Sequence, residues 1–269
     1  MSDSPSRVVP DYRTDDFRPR GSDVLVAVFV INEGEKVRGQ LRRMQPYTDD
    51  LDVIVADGGS TDGSLDEQFL REVGVRALLT KTGPGKLSAQ MRMAFAWALE
   101  QGYAGVIAID GNGKDGIEAL PEFARLLREG YDHVQGSRFI PGGRAVNTPL
   151  SRLIGLRVLH APLISLASGI RQTDTTNGFR GYSAALLGDP VVDVFRDVFQ
   201  TYELHYHLAI EAGRNSHFRT IETPVSRTYP RGKVPTKISP VRGNAHVLGV
   251  LFRAAAGAYR SPLAKDKLS

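Results

Sequence analysis

The sequence contains no cysteine. Disulfides, thiolate zinc sites and cysteine nucleophiles are therefore excluded. It also lacks an apolar N-terminal core, because residues 1–21 read MSDSPSRVVPDYRTDDFRPRG, a polar stretch unlike a signal peptide. Long clean apolar runs are missing as well. The two longest tracts, 156–170 and 247–258, are broken by Arg, His or Gly. Neither offers the ~20 uninterrupted residues that a membrane-spanning helix needs. Charge of one sign is barely in excess: 34 basic against 30 acidic residues give +4. That excess is too small to imply nucleic acid, and it suits an anionic small substrate or an anionic membrane surface equally well. No internal repeat is present. The expectation is a cytoplasmic protein, at most peripheral at a membrane.

What is there is ordinary folded-protein material. The chain has 269 residues, 41% hydrophobic and 24% charged, enough for one large α/β domain or two small ones. Residues 1–22, rich in Pro, Ser, Asp and Arg, predict a flexible arm. Order begins at DVLVAVFVI (23–31), a continuous β-branched run of the kind buried on both faces of a sheet. Further strands are expected at LDVIVAD (51–57), VRALLT (75–80) and GVIAID (105–110). Helical segments between them include NEGEKVRGQLRRM, a helix capped by Ser64 or Asp66, KLSAQMRMAFAWALEQG and GIEALPEFARLLREG. Strands alternating with helices at this spacing predict a parallel doubly wound sheet, in which ligands sit beyond the carboxyl ends of the strands. Those ends carry Asn32-Glu33, Asp57 and Asp110. After residue 131 the pattern changes to short strands, a helical stretch over 150–170, a helix over 199–213 and a basic Pro/Gly loop. The last thirty residues hold a helix over 246–259.

Each polar motif has a plain structural reading beside a functional one. VADGGSTDGS ends a strand on Asp57, either as an acceptor platform for base or ribose or as a simple βα turn. KTGPGKLSAQMR sets Lys81, Lys86 and Arg92 around a helix start, which suits phosphate, but its spacing is not that of a Walker loop. DGNGKD offers Asp110 and Asn112 as hard oxygen ligands for Mg2+ or Mn2+, against the alternative of a Gly-rich turn. GSRFIPGGR and TDTTNGFRGY each carry an arginine, Arg138 and Arg180. These are anion clamps or partners of core carboxylates. YPRGKVPTK gathers Arg231, Lys233 and Lys237 into a solvated face or a lid. His205 and His207, two apart on a helix, cannot both reach one metal and read as structural.

In order and sequence, VAVFVINEGEKV, VIVADGGSTDGS, IAIDGNGKDG, GSRFIPGG, TDTTNGFRGYS and FQTYELHYH resemble the family 2 glycosyltransferases of GT-A fold. The subgroup most similar is the polyprenyl-phosphate (dolichyl-phosphate) mannosyl- and glucosyltransferases, over residues 24–238. The resemblance implies an α/β, Rossmann-like, mostly parallel sheet flanked by helices with a small acceptor-side subregion, a transferase domain over 23–238, and a C-terminal helix and tail over 239–269. It places Asn32, Glu33 and Asp57 at the nucleotide, joined by Lys86 at the phosphates. Asp110 and Asn112 fall on the metal and diphosphate motif, with Lys114 beside them. Arg138 and Arg180 line the acceptor-phosphate side. Residues 231–237 resemble the Arg-x-x-Gly-x-Ser-Lys segment that closes over both phosphates, so Arg231 meets the donor, Lys233 the acceptor and Lys237 the reaction. The sequence departs from the pattern where Asn112 replaces the second acid, Lys114 stands at the third ligand position, and the usual C-terminal membrane helices are missing.

The implied activity is inverting transfer of a hexose from a nucleotide-sugar to a polyprenyl phosphate or similar anionic acceptor. Mg2+ or Mn2+ would assist, with Lys114 partly replacing it. An ionised phosphate acceptor needs cations rather than a base, whereas a hydroxyl acceptor needs a carboxylate, for which Asp174 and Glu203 are the candidates. Two alternatives are transfer to a hydroxyl of a soluble glycan or metabolite, and nucleotide-sugar binding without transfer. The 150–170 segment, with Arg152 and Arg157 among apolar residues, either lies in a membrane interface or covers the sheet.

Overall fold

The computed structural model describes residues 7–230 and 242–266. Its central strands are β2 (Val24–Val30), β3 (Asp52–Asp57), β4 (Ala77–Lys81) and β5 (Gly105–Asp110). Around them lie β1 (Tyr12–Asp16), β6 (His133–Ser137), β7 (Arg144–Val146), β8 (Arg180–Ser183), β9 (Thr220–Pro224) and β10 (Ser226–Thr228). The main sheet has eight strands in the order β1-β4-β3-β2-β5-β8-β6-β9, with β10 and β7 forming a separate parallel pair. Only β1 and β8 run antiparallel to their neighbours.

The continuous apolar run of β2 divides cleanly between two cores. Leu25, Ala27 and Phe29 face one cluster with Phe95, Trp97 and Tyr182. Val24, Val26, Val28 and Val30 face the other, with Val37, Leu41, Phe69 and Phe123. A strand covered on both faces has no polar alternation to show, as the run predicts. The helices are α1 (Glu35–Met44), α2 (Glu67–Glu72), α3 (Leu87–Glu100), α4 (Leu120–Arg128), α5 (Leu150–Gly155), α6 (Ala161–Ser168), α7 (Ala184–Gly188), α8 (Glu203–Arg214), α9 (Arg242–Ala255) and α10 (Pro262–Asp266). Asp66 caps α2 by accepting from the Phe69 amide at 2.9 Å.

One expectation is corrected here. The arm expected over 1–22 contributes β1, which pairs with β4 from Tyr12↔Lys81 to Asp16↔Ala77. An edge strand is held by backbone hydrogen bonds and tolerates a polar sequence, so composition alone did not reveal it. The tract 156–170, expected to be too interrupted to span a membrane, lies within a longer element: α5, a π turn (Leu156–His160) and α6 form one helix, Leu150–Ser168, which passes for a span by length and composition only. Its α6 part packs on α8 and α9, where Ile164 and Ala167 join the core.

Candidate functional site

The carboxyl ends of β2, β3 and β5 meet on one rim. Asn32 follows β2 with a left-handed backbone (φ 48°). Its amide donates to Ser60 Oγ at 2.9 Å, and its Oδ1 accepts from the Thr61 amide at 2.8 Å. Gly34 donates its amide to Asp62 at 2.8 Å. The loops after β2 and β3 are thus fastened together. Asp57 is buried at the end of β3 and accepts from Ser60 through its amide (3.0 Å) and hydroxyl (2.6 Å). Glu33 lies 3.6 Å from Lys36 Nζ. On α3, Gln90 donates to the carbonyls of Val30 (2.9 Å) and Ala56, joining the two strand ends from below. Lys86 is exposed at the N-terminus of α3.

Asp110 closes β5 and opens the glycine loop. Gly113 sits at φ +72°, a conformation that favours glycine. Gln40 on α1 braces this loop: its Nε2 donates to the Asp110 carbonyl (3.0 Å) and its Oε1 accepts from the Gly113 amide (2.8 Å). Asn112 Nδ2 reaches Asp110 Oδ2 at 3.3 Å, and Asn112 Oδ1 accepts from the Lys114 amide at 3.2 Å. Gly178, from the TDTTNGFRGYS motif, leaves room for the Asp110 carboxylate. A Cβ there would lie 3.1 Å from Oδ1.

Among the described residues the cation paired with Asp110 is Arg227, which the sequence reading missed. Its Nη2 is 3.2 Å from Asp110 Oδ2, and its Nη1 grips both oxygens of buried Asp115 at 2.7 and 2.6 Å. Burial works against the Arg227 charge, but Asp115 and then Asp110 outweigh it and raise its pKa. The backbones are joined too, with Gly116 donating to the Ser226 carbonyl and Thr228 to the Lys114 carbonyl, each at 2.9 Å. Tyr229 lies at the centre of a basic ring. Lys114 Nζ is 5.4 Å from its ring centroid, and the guanidinium carbons of Arg152 and Arg227 are 5.6 and 5.8 Å away. Burial pushes the Tyr229 phenol up, but Arg227, Arg138 and Arg152 reverse the shift. Burial, then the Arg227 charge, hold the Lys114 ammonium below the usual lysine range. Burial and then Asp110 raise the pKa of Tyr202.

Other expected site residues are committed elsewhere. Asp174 is fully buried. Both its oxygens are taken by Arg138, at 2.6 Å from Nε and 2.8 Å from Nη2, with the Arg138 amide at 3.1 Å. That geometry corrects its nomination as a base. Glu203 is spent on the amides of Gln200 (3.0 Å) and Thr201 (2.5 Å) at the start of α8. Arg180 is a buried strut rather than an open clamp. It donates to the carbonyls of Asn177 (2.9 Å), His205 (2.7 Å) and Thr175 (2.8 Å). Arg138 likewise turns its guanidinium inward, 5.2 Å from the Phe139 ring. Beyond Phe139 lies a cavity of about 510 Å3 between the 150–168 helix and residues 171–173, lined also by Arg157, Pro162 and Arg171. Arg231, Lys233 and Lys237 lie outside the described residues.

For a divalent ion the donor set is thin. Of the assigned ligands Asp110 and Asn112, the Asp110 Oδ2 and Asn112 Oδ1 atoms already accept N–H bonds. Among the described residues no group of three or more acidic, His or Cys side chains is gathered to hold a metal.

No protein-family model matches the chain. It is 34% identical over 168 residues to an undecaprenyl-phosphate mannosyltransferase of Micrococcus luteus, covering 61% of this chain and 68% of that one. It is 27% identical over 229 residues to a polyprenol monophosphomannose synthase of Mycolicibacterium smegmatis, covering 84% and 81%. Among solved structures it is similar to glucosyl-3-phosphoglycerate synthase of Mycobacterium tuberculosis in complex with UDP, with a TM-score of 0.58, 17% identity and coverage of 87% and 80%. The same enzyme with Mn2+, UDP and glucosyl-3-phosphoglycerate gives a TM-score of 0.55 at 16% identity. At that identity the structural likeness establishes the fold alone, while the sequence likeness reaches further. The chain is an enzyme and belongs to the family 2 glycosyltransferases of GT-A fold.

Proposed function

We propose that this glycosyltransferase moves a hexose from a nucleotide-sugar to the phosphate of a polyprenyl phosphate, with inversion at the anomeric carbon. The observation that carries the reading is cations at two neighbouring places: Lys114, Arg152 and Arg227 around Tyr229, set against Asp110 at the strand-end rim, and Arg157 and Arg171 at the cavity beside Phe139. A phosphate acceptor is ionised at neutral pH and attacks without giving up a proton, so it requires cations and no general base. The two acids nominated as a base, Asp174 and Glu203, are both bound internally, which favours phosphate over hydroxyl. The named relatives act in the same sense, one as an undecaprenyl-phosphate mannosyltransferase.

In this reading the fastened loops bearing Asn32, Glu33 and Asp57 receive the nucleoside, and Lys86 faces its phosphates from the α3 N-terminus. Asp110 orients the departing diphosphate and the sugar. Arg157 and Arg171, at the cavity beside Phe139, receive the anionic acceptor, and the 150–168 helix rests peripherally on the membrane that carries it. Arg138 with Asp174, and Arg180 with its three carbonyls, hold the acceptor-side loops in shape.

The test is transfer of labelled sugar into a lipid-phosphate fraction by the purified chain, with and without polyprenyl phosphate. Transfer is expected only with the lipid, and Asp110→Ala is expected to abolish it. Full activity in that variant would remove Asp110 from the reaction. Transfer to a soluble acceptor without the lipid would favour the hydroxyl reading.

A further inference from the structure

A group-transfer enzyme of this kind must neutralise the negative charge that builds on the leaving diphosphate. Mn2+ accompanies UDP in a structural neighbour, and the Asp110–Lys114 loop resembles the metal motif of the family. Most of the oxygen donors in this loop, Asp110 Oδ2, Asn112 Oδ1 and both oxygens of Asp115, are turned to a different use. Asp110 Oδ2 faces the Arg227 guanidinium at 3.2 Å and the Asn112 amide nitrogen at 3.3 Å. Asn112 Oδ1 faces the Lys114 amide. Asp115, fully buried, spends both oxygens on Arg227 Nη1. A divalent cation drawing on Asp110 Oδ2 would have to displace a guanidinium that is anchored at its far side, beside a ring already holding Lys114 and Arg152.

We propose that Arg227, held in place by Asp115, is the fixed countercharge for the departing diphosphate, so that donor binding and transfer require no divalent ion. A guanidinium has five N–H donors, and its contacts with Asp110 and Asp115 leave donors for a phosphate oxygen. Lys114 is tied by backbone to the strand that carries Arg227, so the two residues stay side by side. In the transfer an acceptor phosphate oxygen forms a bond to the anomeric carbon. The bond from that carbon to the diphosphate oxygen breaks, with its electron pair leaving on the diphosphate. The negative charge gained by the diphosphate equals that lost by the acceptor, and no proton moves. Asp115 acts through Arg227 and is a positioning residue. The sequence singles out Lys114 as a stand-in for the ion, whereas the geometry gives that place to Arg227.

The proposal rests on the nucleotide-sugar donor proposed above, and its test does not require the acceptor. Calorimetric titration of the full chain with UDP, GDP, CDP and dTDP, each in excess EDTA and again in Mn2+ or Mg2+, is expected to give one nucleotide the same affinity in both conditions. Binding that needs the metal overturns the proposal. In turnover, EDTA is expected to leave the rate unchanged. Arg227→Gln is expected to lower kcat about 100-fold, as loss of one charge-stabilising donor does. Because it frees Asp110 Oδ2, it is also expected to gain stimulation by Mn2+, a response that mere loosening of the fold would not produce. Arg227→Lys should recover part of kcat without Mn2+, and Asp115→Asn should weaken nucleotide binding in EDTA. Wild-type kcat in Arg227→Gln, or turnover abolished by EDTA and restored by Mn2+, overturns it. Metal-free nucleotide binding without transfer to polyprenyl phosphate faults the acceptor reading alone and upholds the charge assignment.

Discussion

Arg180 shows how a charged residue in a functional motif can be structural. Three carbonyls accept from its guanidinium; that of Asn177 also receives Gln135 Nε2 at 3.3 Å and that of His205 lies within α8, so the Thr175 carbonyl is the one that, among the described residues, rests on Arg180 alone. Arg180→Gln leaves that carbonyl without a partner, at roughly 1–3 kcal/mol. The expected result is a loss of about 2 kcal/mol in urea unfolding, with the acceptor KM of the remaining folded protein little changed. Unchanged stability with a raised acceptor KM would return Arg180 to the clamp that the sequence suggests. At this scale the strand-end acids were legible, since Asp57 and Asp110 each terminate a buried run and need only local information. Arg227 and Asp115 were not, because they are 112 residues apart and each looks ordinary alone. One signal was available. In the segment 225–229, Val225, Arg227 and Tyr229 alternate as the buried set, so an arginine stands where an apolar residue is expected.

Among the elements, the 150–168 helix connects the surface to the site. Leu150, Ile154, Val158, Pro162 and Leu166 are exposed at every fourth position. A spacing of four drifts around an α-helix of 3.6 residues per turn, and the wider π turn at Leu156–His160 offsets that drift. From the same helix Arg152 reaches Tyr229, which bonds through its amide to Val146 of β7 at 3.0 Å. The outer stripe and the basic ring are therefore joined through one helix, by the reach of Arg152. Ile154→Asp with Val158→Asp is expected to reduce flotation with vesicles containing anionic phospholipid by at least about tenfold. Both side chains are exposed, so thermal unfolding should stay within roughly 0.5 kcal/mol of wild type. Equal flotation of wild type and variant would assign the stripe to another use. The helix was legible from composition, but its exposed stripe was not. A membrane-facing and a core-facing helix of mixed Leu, Ile and Arg share the same letters until packing separates them.

Across the whole molecule, the histidines divide the chain unequally. All six lie after residue 130, in the half that carries β6, β8 and α8, and the half before it has none. His133 and His207 are buried, and burial pushes each down to about 3. Arg180 beside His133, and Arg196 and Arg260 beside His207, oppose their protonation further. In the unfolded chain both return to about 6.5 and take up protons that the native state refuses. Between those values the unfolded state binds more protons, so stability is complete above about pH 6.5 and falls as pH drops toward 3. Each pKa unit is worth about 1.4 kcal/mol, so acidification to about pH 5 costs roughly 2 kcal/mol per buried histidine. His133 stacks on Tyr182 at 5.6 Å between ring centroids, and neither ring nitrogen has a hydrogen-bond partner, so phenylalanine can take its place. His133→Phe is expected to retain its urea midpoint near neutrality and lose less of it at about pH 5 than the wild type. Hydrogen exchange at that pH should rise first in β6, β8 and α8, while β2, β3 and β5 stay protected. Exchange rising equally in both halves would mean that acid acts through groups other than these histidines, and a variant as acid-sensitive as the wild type would take His133 out of the account.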